Sequence, residues 1–220
     1  QSYFQSTESR QSLPGTIKLR DLNGDGVVNP GDNTVDNPGD RLIIGNSSPR
    51  YSFGVNLQGG WNGFSLSSFF QGVAKQDWYP SNEANQFWGQ YSRPYGDIPK
   101  WHLKEGIIWS EENPNSFLPR YTSRLAQGNE QRMLNAKQTK YVMNAAYVRL
   151  KNIQLGYNLP PRILSPLGVN AGTIYVSAEN LWTYSPLYQT ADNVDVENIT
   201  AQSDRILTTG TSGDGYNYPM

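Results

Sequence analysis

Four segments of this chain alternate apolar and polar side chains with a period of two, and that pattern leaves little choice but β-strands. In residues 51–57, Tyr51, Phe53, Val55 and Leu57 alternate with Ser52, Gly54, Asn56 and Gln58. In 64–71, Phe64, Leu66 and Ser68 alternate before a pair of phenylalanines, and residues 59–63 read as the tight turn between these two strands. In 147–159, Ile153, Leu155, Tyr157 and Leu159 share one face, with Asn152, Gln154 and Asn158 on the other. In 173–183, Ile174, Val176 and Ala178 stand opposite Tyr175, Ser177 and Glu179.

The connections are unequal. About five residues join the first two strands and about a dozen the last two, whereas some seventy-five lie between the second and third and nearly forty follow the fourth. Connections as long as 73–146 and 184–220 are unusual in compact soluble domains. Short turns at one end and long loops at the other are the arrangement of an outer-membrane barrel. The expected fold is therefore all-β: antiparallel strands of a large transmembrane barrel, with the long loops outside the cell.

Composition is compatible with that reading. The charge balance of 18 Lys plus Arg against 19 Asp plus Glu gives no electrostatic case for nucleic acid. Aromatic residues make up 12% of a chain whose mean hydropathy is only −0.64, which suits either aromatic girdles or a carbohydrate-binding surface. No apolar run reaches the roughly 18–20 residues of a membrane helix, a test that a β-strand spanning the bilayer escapes. Cysteine is absent, which removes disulfides, thiol catalysis and zinc–thiolate sites.

Residues 21–32 place oxygen-bearing side chains at positions 1, 3, 5, 9 and 12 of a twelve-residue loop, with glycine at position 6. That is the spacing of a calcium loop. Its ligands would be Asp21, Asn23, Asp25, the Val27 carbonyl, Asn29 and Asp32. Because Asn29-Pro30-Gly31-Asp32 recurs as Asn37-Pro38-Gly39-Asp40, either Asp36 or Asp40 could close the site in place of Asp32. The competing reading is a polar surface turn that binds nothing. A bound cation here would be structural and weakly held.

The stretch 78–109 carries Trp78, Tyr79, Phe87, Trp88, Tyr91, Tyr95, Trp101 and Trp109. Trp78, Tyr79, Trp88, Tyr91 and Trp101 are candidates for stacking on a ligand or a partner, with Asn82, Asn85, Gln86 and Gln90 bonding to hydroxyls. The alternative is a loop packed around its own rings. His102 is the single histidine, there is no Gly-x-Ser-x-Gly elbow, and Glu111-Glu112 are sequence neighbours rather than opposed carboxylates, so no catalysis is expected. Arg149 and Lys151 lie near the outer end of the third strand, where Glu179 on the next strand is a candidate partner.

Several motifs resemble the late portion of SusC/RagA-type TonB-dependent transporters. They are residues 21–26, Gly39-Asp40-Arg41, Ile44-Gly45-Asn46, Pro49-Arg50-Tyr51, Gly63-Phe64-Ser65-Leu66 with Phe69-Phe70-Gln71-Gly72, and Glu112-Asn113-Pro114-Asn115 with Pro119-Arg120-Tyr121. The most specific are Tyr147-Val148-Arg149-Leu150-Lys151-Asn152 with Leu155-Gly156-Tyr157-Asn158-Leu159-Pro160, and the run 175–183. The resemblance implies an importer of glycans or peptides in the outer membrane of a Bacteroidetes-like bacterium. Its implied partners are a SusD-like surface lipoprotein, the TonB complex and outer-membrane lipid. It also implies that residues 1–220 are the C-terminal portion of a larger barrel, because four strands fall short of the roughly 8 that the smallest barrels need. The rival class is a secreted, soluble, calcium-stabilised β-domain that binds carbohydrate and buries Ile153, Leu155 and Tyr157 against a second sheet. A dockerin-like module would require a second calcium loop and helices.

Overall fold

The computed structural model describes residues 14–80, 84–92, 97–121, 134 and 137–199. Four long strands, β1 (Arg50–Trp61), β2 (Phe64–Lys75), β5 (Tyr147–Asn158) and β6 (Thr173–Tyr184), form one antiparallel sheet in the order β1-β2-β5-β6. Two short strands, β3 (Asp77–Trp78) and β4 (Met143–Asn144), pair where the long connection leaves and rejoins the sheet. Each long strand has 12 residues, enough for the roughly 9–11 that a tilted strand needs to cross a bilayer. Among the described residues no helix is long and apolar enough to span a membrane.

The alternating segments are strands, and they run longer than their patterns suggested. The first continues through Gly59 and Gly60 to Trp61, so the turn is the two residues Asn62-Gly63 rather than 59–63. Both adopt left-handed backbone, φ 49° and 87°, the hairpin geometry that Asn-Gly favours. The connection from β5 to β6 is made by two short helical turns, α1 (Pro161–Leu164) and a 3₁₀ turn at Ser165–Leu167, and ends at left-handed Gly168.

Residues directly opposite in an antiparallel ladder share a face, so the register assigns each side chain to one side. On one side the rows across the sheet read Trp61–Phe64–Tyr157–Ile174, Leu66–Leu155–Val176, Leu57–Ser68–Ile153–Ala178, Val55–Phe70–Leu150–Trp182 and Phe53–Gly72–Val148–Tyr184. On the other they read Gly60–Ser65–Gly156–Tyr175, Gln58–Ser67–Gln154–Ser177, Asn56–Phe69–Asn152–Glu179 and Gly54–Gln71–Arg149–Thr183. One face is almost wholly apolar and the other almost wholly polar.

The apolar face lies open: Leu155 is 51% exposed and Val176 73%. No second sheet among the described residues covers it, which is the opposite of what the sandwich alternative requires. Aromatic rings mark its two ends. Trp61, Phe64 and Tyr157 stand beside the short turns, with the last two rings 4.6 Å apart, and Trp182 and Tyr184 stand at the other end. An apolar band bounded by aromatic rings is the pattern expected of the lipid face of an outer-membrane strand. The four-stranded sheet is open among the described residues, with β1 and β6 as its two edges.

The faces keep their identity only because of an irregularity in β5. Val148 and Leu150 are apolar at even positions, whereas Ile153, Leu155 and Tyr157 are apolar at odd ones. Phe69 and Phe70 pair with Asn152 and Leu150, leaving Lys151 without an opposite residue on β2. This bulge absorbs the one-residue slip in the pattern, returning all five apolar side chains to the same face.

The buried core lies elsewhere. Trp78, Phe87, Trp88, Tyr91, Trp101, Leu118, Leu134 and Tyr141 from the long connection pack with Leu187, Val194, Val196 and Ile199 from the segment after β6. Val73 and Tyr147, opposite each other on the polar side of the sheet, join this cluster. The loops are therefore folded onto the polar face at the end away from the short turns. Residues 1–13 and the end of the last long connection, 200–220, lie outside the described residues.

Candidate functional site

The calcium-type loop is built from side-chain–backbone hydrogen bonds. Asp21 accepts from the amides of Gly24 (2.6 Å) and Gly26 (2.9 Å), and Asp25 accepts from the Val27 amide and the Asn23 side chain. The two Asn-Pro-Gly-Asp turns pack back to back. The Asp32 amide donates to the Asn37 carbonyl, and in the equivalent bond the Asp40 amide donates to the Asn29 carbonyl. Gly31 and Gly39 meet so closely that a Cβ on either would lie within 2.7 Å of the other turn's backbone.

This clasp decides which carboxylate faces Asp21. By tying Asn29 to Asp40 it sets residues 30–39 aside as a closed excursion. Asp40 then accepts from the amides of Leu22 (2.5 Å) and Asn29 (2.8 Å) and lies in contact with the Asp21 carboxyl. The Leu22 amide is the chief reason its pKa is lowered. Asp32, the twelfth residue, instead accepts from the Asn37 side chain, and Asp36 is exposed. The donors suit a hard cation, since Asp21, Asp25 and Asp40 supply carboxylates beside Asn23, Asn29 and the Val27 carbonyl. Among the described residues no three acidic or imidazole side chains converge as a ready cage.

The aromatic candidates are interior. Trp78, Trp88, Tyr91 and Trp101 are buried and Tyr79 is half-buried. Their rings pack on one another, mostly edge to face: Phe87 meets Trp78, Trp88 and Trp101 at centroid distances of 5.5, 4.8 and 4.9 Å, and Trp88 stands edge-on to Tyr141. The Tyr79 and Tyr91 hydroxyls donate to the carbonyls of Leu134 and Pro119. Burial raises the pKa of both phenols. In this arrangement Trp78, Trp88, Tyr91 and Trp101 belong to a loop core, and the half-buried Tyr79 packs against it. Asn82 and Tyr95, and the side chains of Asn85 and Gln86, lie outside the described residues. His102 is enclosed in the same core, its Nε2–H donating to the Phe87 carbonyl at 2.8 Å. Burial pushes its imidazole down to about 4, so it is neutral at pH 7.

On the polar face, Arg149 and Lys151 meet carboxylates from an unexpected direction. Arg149 Nη2 donates to Asp195 at 2.6 Å, Nη1 to Glu197 at 2.5 Å and Nε to the Thr183 hydroxyl at 2.8 Å. Lys151 reaches both oxygens of Glu197, at 2.9 and 3.0 Å. The carboxylates come from the segment that folds back after β6, not from Glu179, the partner expected from cross-strand spacing. Residues 185–199 thus form a strap held on the polar face by a network of charges, with the Gln76 amide gripping the Ile199 carbonyl at its far end. Nothing in the sequence around Asp195 and Glu197 signals this, because Arg149 lies 46 and 48 residues away, with the whole of β6 between.

No family model matches the chain. It is 29% identical over 181 residues to TonB-dependent receptor P3 of Formosa agariphila, covering 82% of this chain and 16% of that protein. It is 26% identical over 171 residues to TonB-dependent receptor P26 of the same organism, covering 78% and 15%. The chain thus spans about one-sixth of the length of the curated relatives it matches. Solved structures that it resembles include the RagAB peptide importer in its closed-closed state (TM-score 0.46, 22% identity, 69% of this chain and 15% of that one) and its open-open state (TM-score 0.43, 24% identity, 69% and 15%). The homologues of this chain are TonB-dependent receptors, and receptors rather than enzymes.

Proposed function

We propose that this chain forms part of the wall and the outer loops of a TonB-dependent importer in the cell outer membrane, one that takes up oligosaccharides or peptides together with a SusD-like lipoprotein. The observation that carries this reading is the one-sided sheet. Its apolar face is exposed and framed by aromatic rings, as a lipid-facing wall requires. Its polar face holds uncharged side chains beside the short turns and a charged, loop-covered region at the other end, as the wall of a ligand path requires. The homologous receptors support the same assignment. The lipoprotein partner, and the TonB complex acting on the parent receptor, rest on the sequence resemblance.

We further propose that calcium ties down the loop 21–40 through Asp21, Asp25 and Asp40, with Asn23, Asn29 and the Val27 carbonyl. With few carboxylates the affinity belongs at the weak, extracellular end of the range, about 10⁻⁴–10⁻³ M. The gain is structural, since a cation removes conformational freedom from a long loop.

This segment has no cysteine, so single cysteines can report its orientation. Leu155→Cys and Gln154→Cys in the full-length receptor, each carrying a polarity-sensitive fluorophore, are reconstituted in vesicles containing nitroxide lipid. The fluorophore at 155 is expected to be quenched and that at 154 to be spared. Equal quenching at both positions would remove the membrane-wall assignment. TonB-dependent uptake of oligosaccharides and of peptides by cells expressing the receptor then tests the import activity itself.

A further inference from the structure

A groove of about 650 Å³ lies between the extended segment 14–20 and the loop core, lined by Trp109, Pro114, Ser116, Pro119 and residues 138–140. Its volume falls within the roughly 300–1,000 Å³ of ligand-binding clefts.

One wall is a segment with no backbone partner along 17–20 among the described residues. Along 17–20 exposure alternates, with Ile17 and Leu19 part-buried and Lys18 and Arg20 exposed, the period of extended chain. Its start is pinned: the Arg120 amide donates to the Gly15 carbonyl at 2.7 Å, and the Trp109 ring lies flat against Gly15, where any Cβ would strike it at 2.3 Å. Ile17 packs on the loop core. Yet the backbone amides and carbonyls of residues 17–20 make no hydrogen bond among the described residues. A rigidly held extended segment with open backbone groups is a template for strand addition.

The groove is also electropositive. Lys18, Arg20 and Lys140 all line it, and among the described residues its lining contains no Asp or Glu. None of the three is ion-paired among the described residues. The Lys140 ammonium donates to the Ser116 carbonyl at 2.9 Å and stands over the Tyr141 ring, which leaves its charge uncompensated. Proline and tryptophan supply the apolar surface against which alternate side chains of an added strand would rest.

We propose that this groove binds an extended acidic peptide by strand addition along residues 17–20, with Lys18, Arg20 and Lys140 pairing its carboxylates. The inference deepens the importer reading and rests on it for the peptide's role as cargo. The open backbone edge favours a peptide over an acidic oligosaccharide, which has no amide ladder to offer.

The test uses the full-length receptor in detergent and fluorescence anisotropy of a labelled hexapeptide of alternating valine and aspartate. The acidic peptide is expected to bind at least tenfold more tightly than the same peptide with asparagine in place of aspartate. N-methylation at alternate amides, which blocks strand pairing without altering charge, is expected to cost at least tenfold. The double variant Lys18→Ala/Arg20→Ala, both exposed positions, is expected to weaken the acidic peptide at least tenfold while leaving thermal unfolding unchanged, and Lys140→Met, which also gives up the bond to the Ser116 carbonyl, is expected to weaken the acidic peptide at least tenfold without weakening the asparagine peptide. Equal affinity for the aspartate and asparagine peptides, indifference to N-methylation, or tighter binding of a uronic-acid trisaccharide would each overturn the proposal. TonB-dependent uptake is assayed separately in cells. Intact uptake without acidic-peptide preference sinks the groove alone, and peptide binding without uptake sinks the importer reading alone.

Discussion

Arg149 on β5 and Asp195 on the returning strap meet at 2.6 Å, and each side chain is only 5% exposed. Two charges so enclosed are stable only as a pair, because removing one partner leaves the other uncompensated in a poorly solvated place, at a cost of roughly 3–5 kcal/mol. Arg149→Met strands Asp195 and also deprives Glu197 of a donor. Asp195→Asn leaves Arg149 its bonds to Glu197 and Thr183. The methionine variant is therefore expected to open the strap far more than the asparagine variant. Hydrogen exchange in the intact receptor reads this directly at Val194 and Val196, whose protection should fall steeply in the first and slightly in the second. Equal loss in both would mean that the strap is held by its apolar contacts instead.

The clasp between the two Asn-Pro-Gly-Asp turns makes a sharp distinction between carboxylates that the sequence leaves equivalent. Asp40 lies against Asp21, while Asp32 is occupied with Asn37. Asp40→Asn is expected to weaken calcium binding by the full receptor at least tenfold, and Asp32→Asn to change it less than about threefold. Calorimetric titration with calcium checks both. The reverse order would show that Asp32 closes the loop.

His102 gives the loop core a defined response to acid. Its imidazole titrates at about 4 in the folded core against 6.5 for an ordinary histidine, chiefly because burial opposes the charge. A depressed folded value means that the unfolded chain binds the proton more readily. The contribution is present in full above about pH 6.5 and disappears as the pH falls towards 4, amounting to at most about 3 kcal/mol. Exchange protection of the Trp101 and Phe87 amides should decline across that window, and His102→Gln, which keeps a donor for the Phe87 carbonyl, should flatten the decline. An unchanged pH profile in the glutamine variant would assign the acid response to other groups.

The strands were legible because their physics is local. Alternation at Tyr51–Leu57 or Ile174–Ala178 reports a sheet with two unlike surroundings whatever lies around it. The fate of the aromatic stretch was not legible. Trp78, Trp88 and Trp101 have the composition of a stacking platform and equally of a core, and only tertiary contacts among Phe87, Tyr141 and Leu118 decide between them. The strap was invisible for a related reason: Asp195 and Glu197 carry no periodicity, and their partners lie on β5. For the loop 21–40 the spacing named Asp21, Asn23, Asp25, Val27, Asn29 and Asp32 as candidate donors, but that Asp40 rather than Asp32 meets Asp21 depends on two glycines packing together, which spacing does not encode.

The bulge at Lys151 yields the strictest test of the lipid-facing assignment. Deleting Lys151 removes the slip and the bulge together: Val148, Leu150, Ile153 and Leu155 then alternate without interruption, Asn152 and Leu150 stay opposite Phe69 and Phe70, and both faces are kept. Deleting Gln154, away from the bulge, has the opposite effect. If residues 155–158 keep their register and the bulge stays at Lys151, Arg149 is driven to the apolar side while Val148, Leu150 and Ile153 turn to the polar one. A cationic side chain on a lipid face costs roughly 2–4 kcal/mol at the bilayer midplane and less near the interface, and the loss of the Asp195 and Glu197 contacts adds to it. The Gln154 deletion is therefore expected to abolish assembly of the receptor, while the Lys151 deletion assembles with a strap loosened by the lost bond to Glu197. Heat-modifiable migration in gels, which reports folded barrels, separates the two outcomes. Normal assembly of the Gln154 deletion would show that the faces are not held to unlike solvents, because a wall with lipid on one side and water on the other cannot tolerate the exchange.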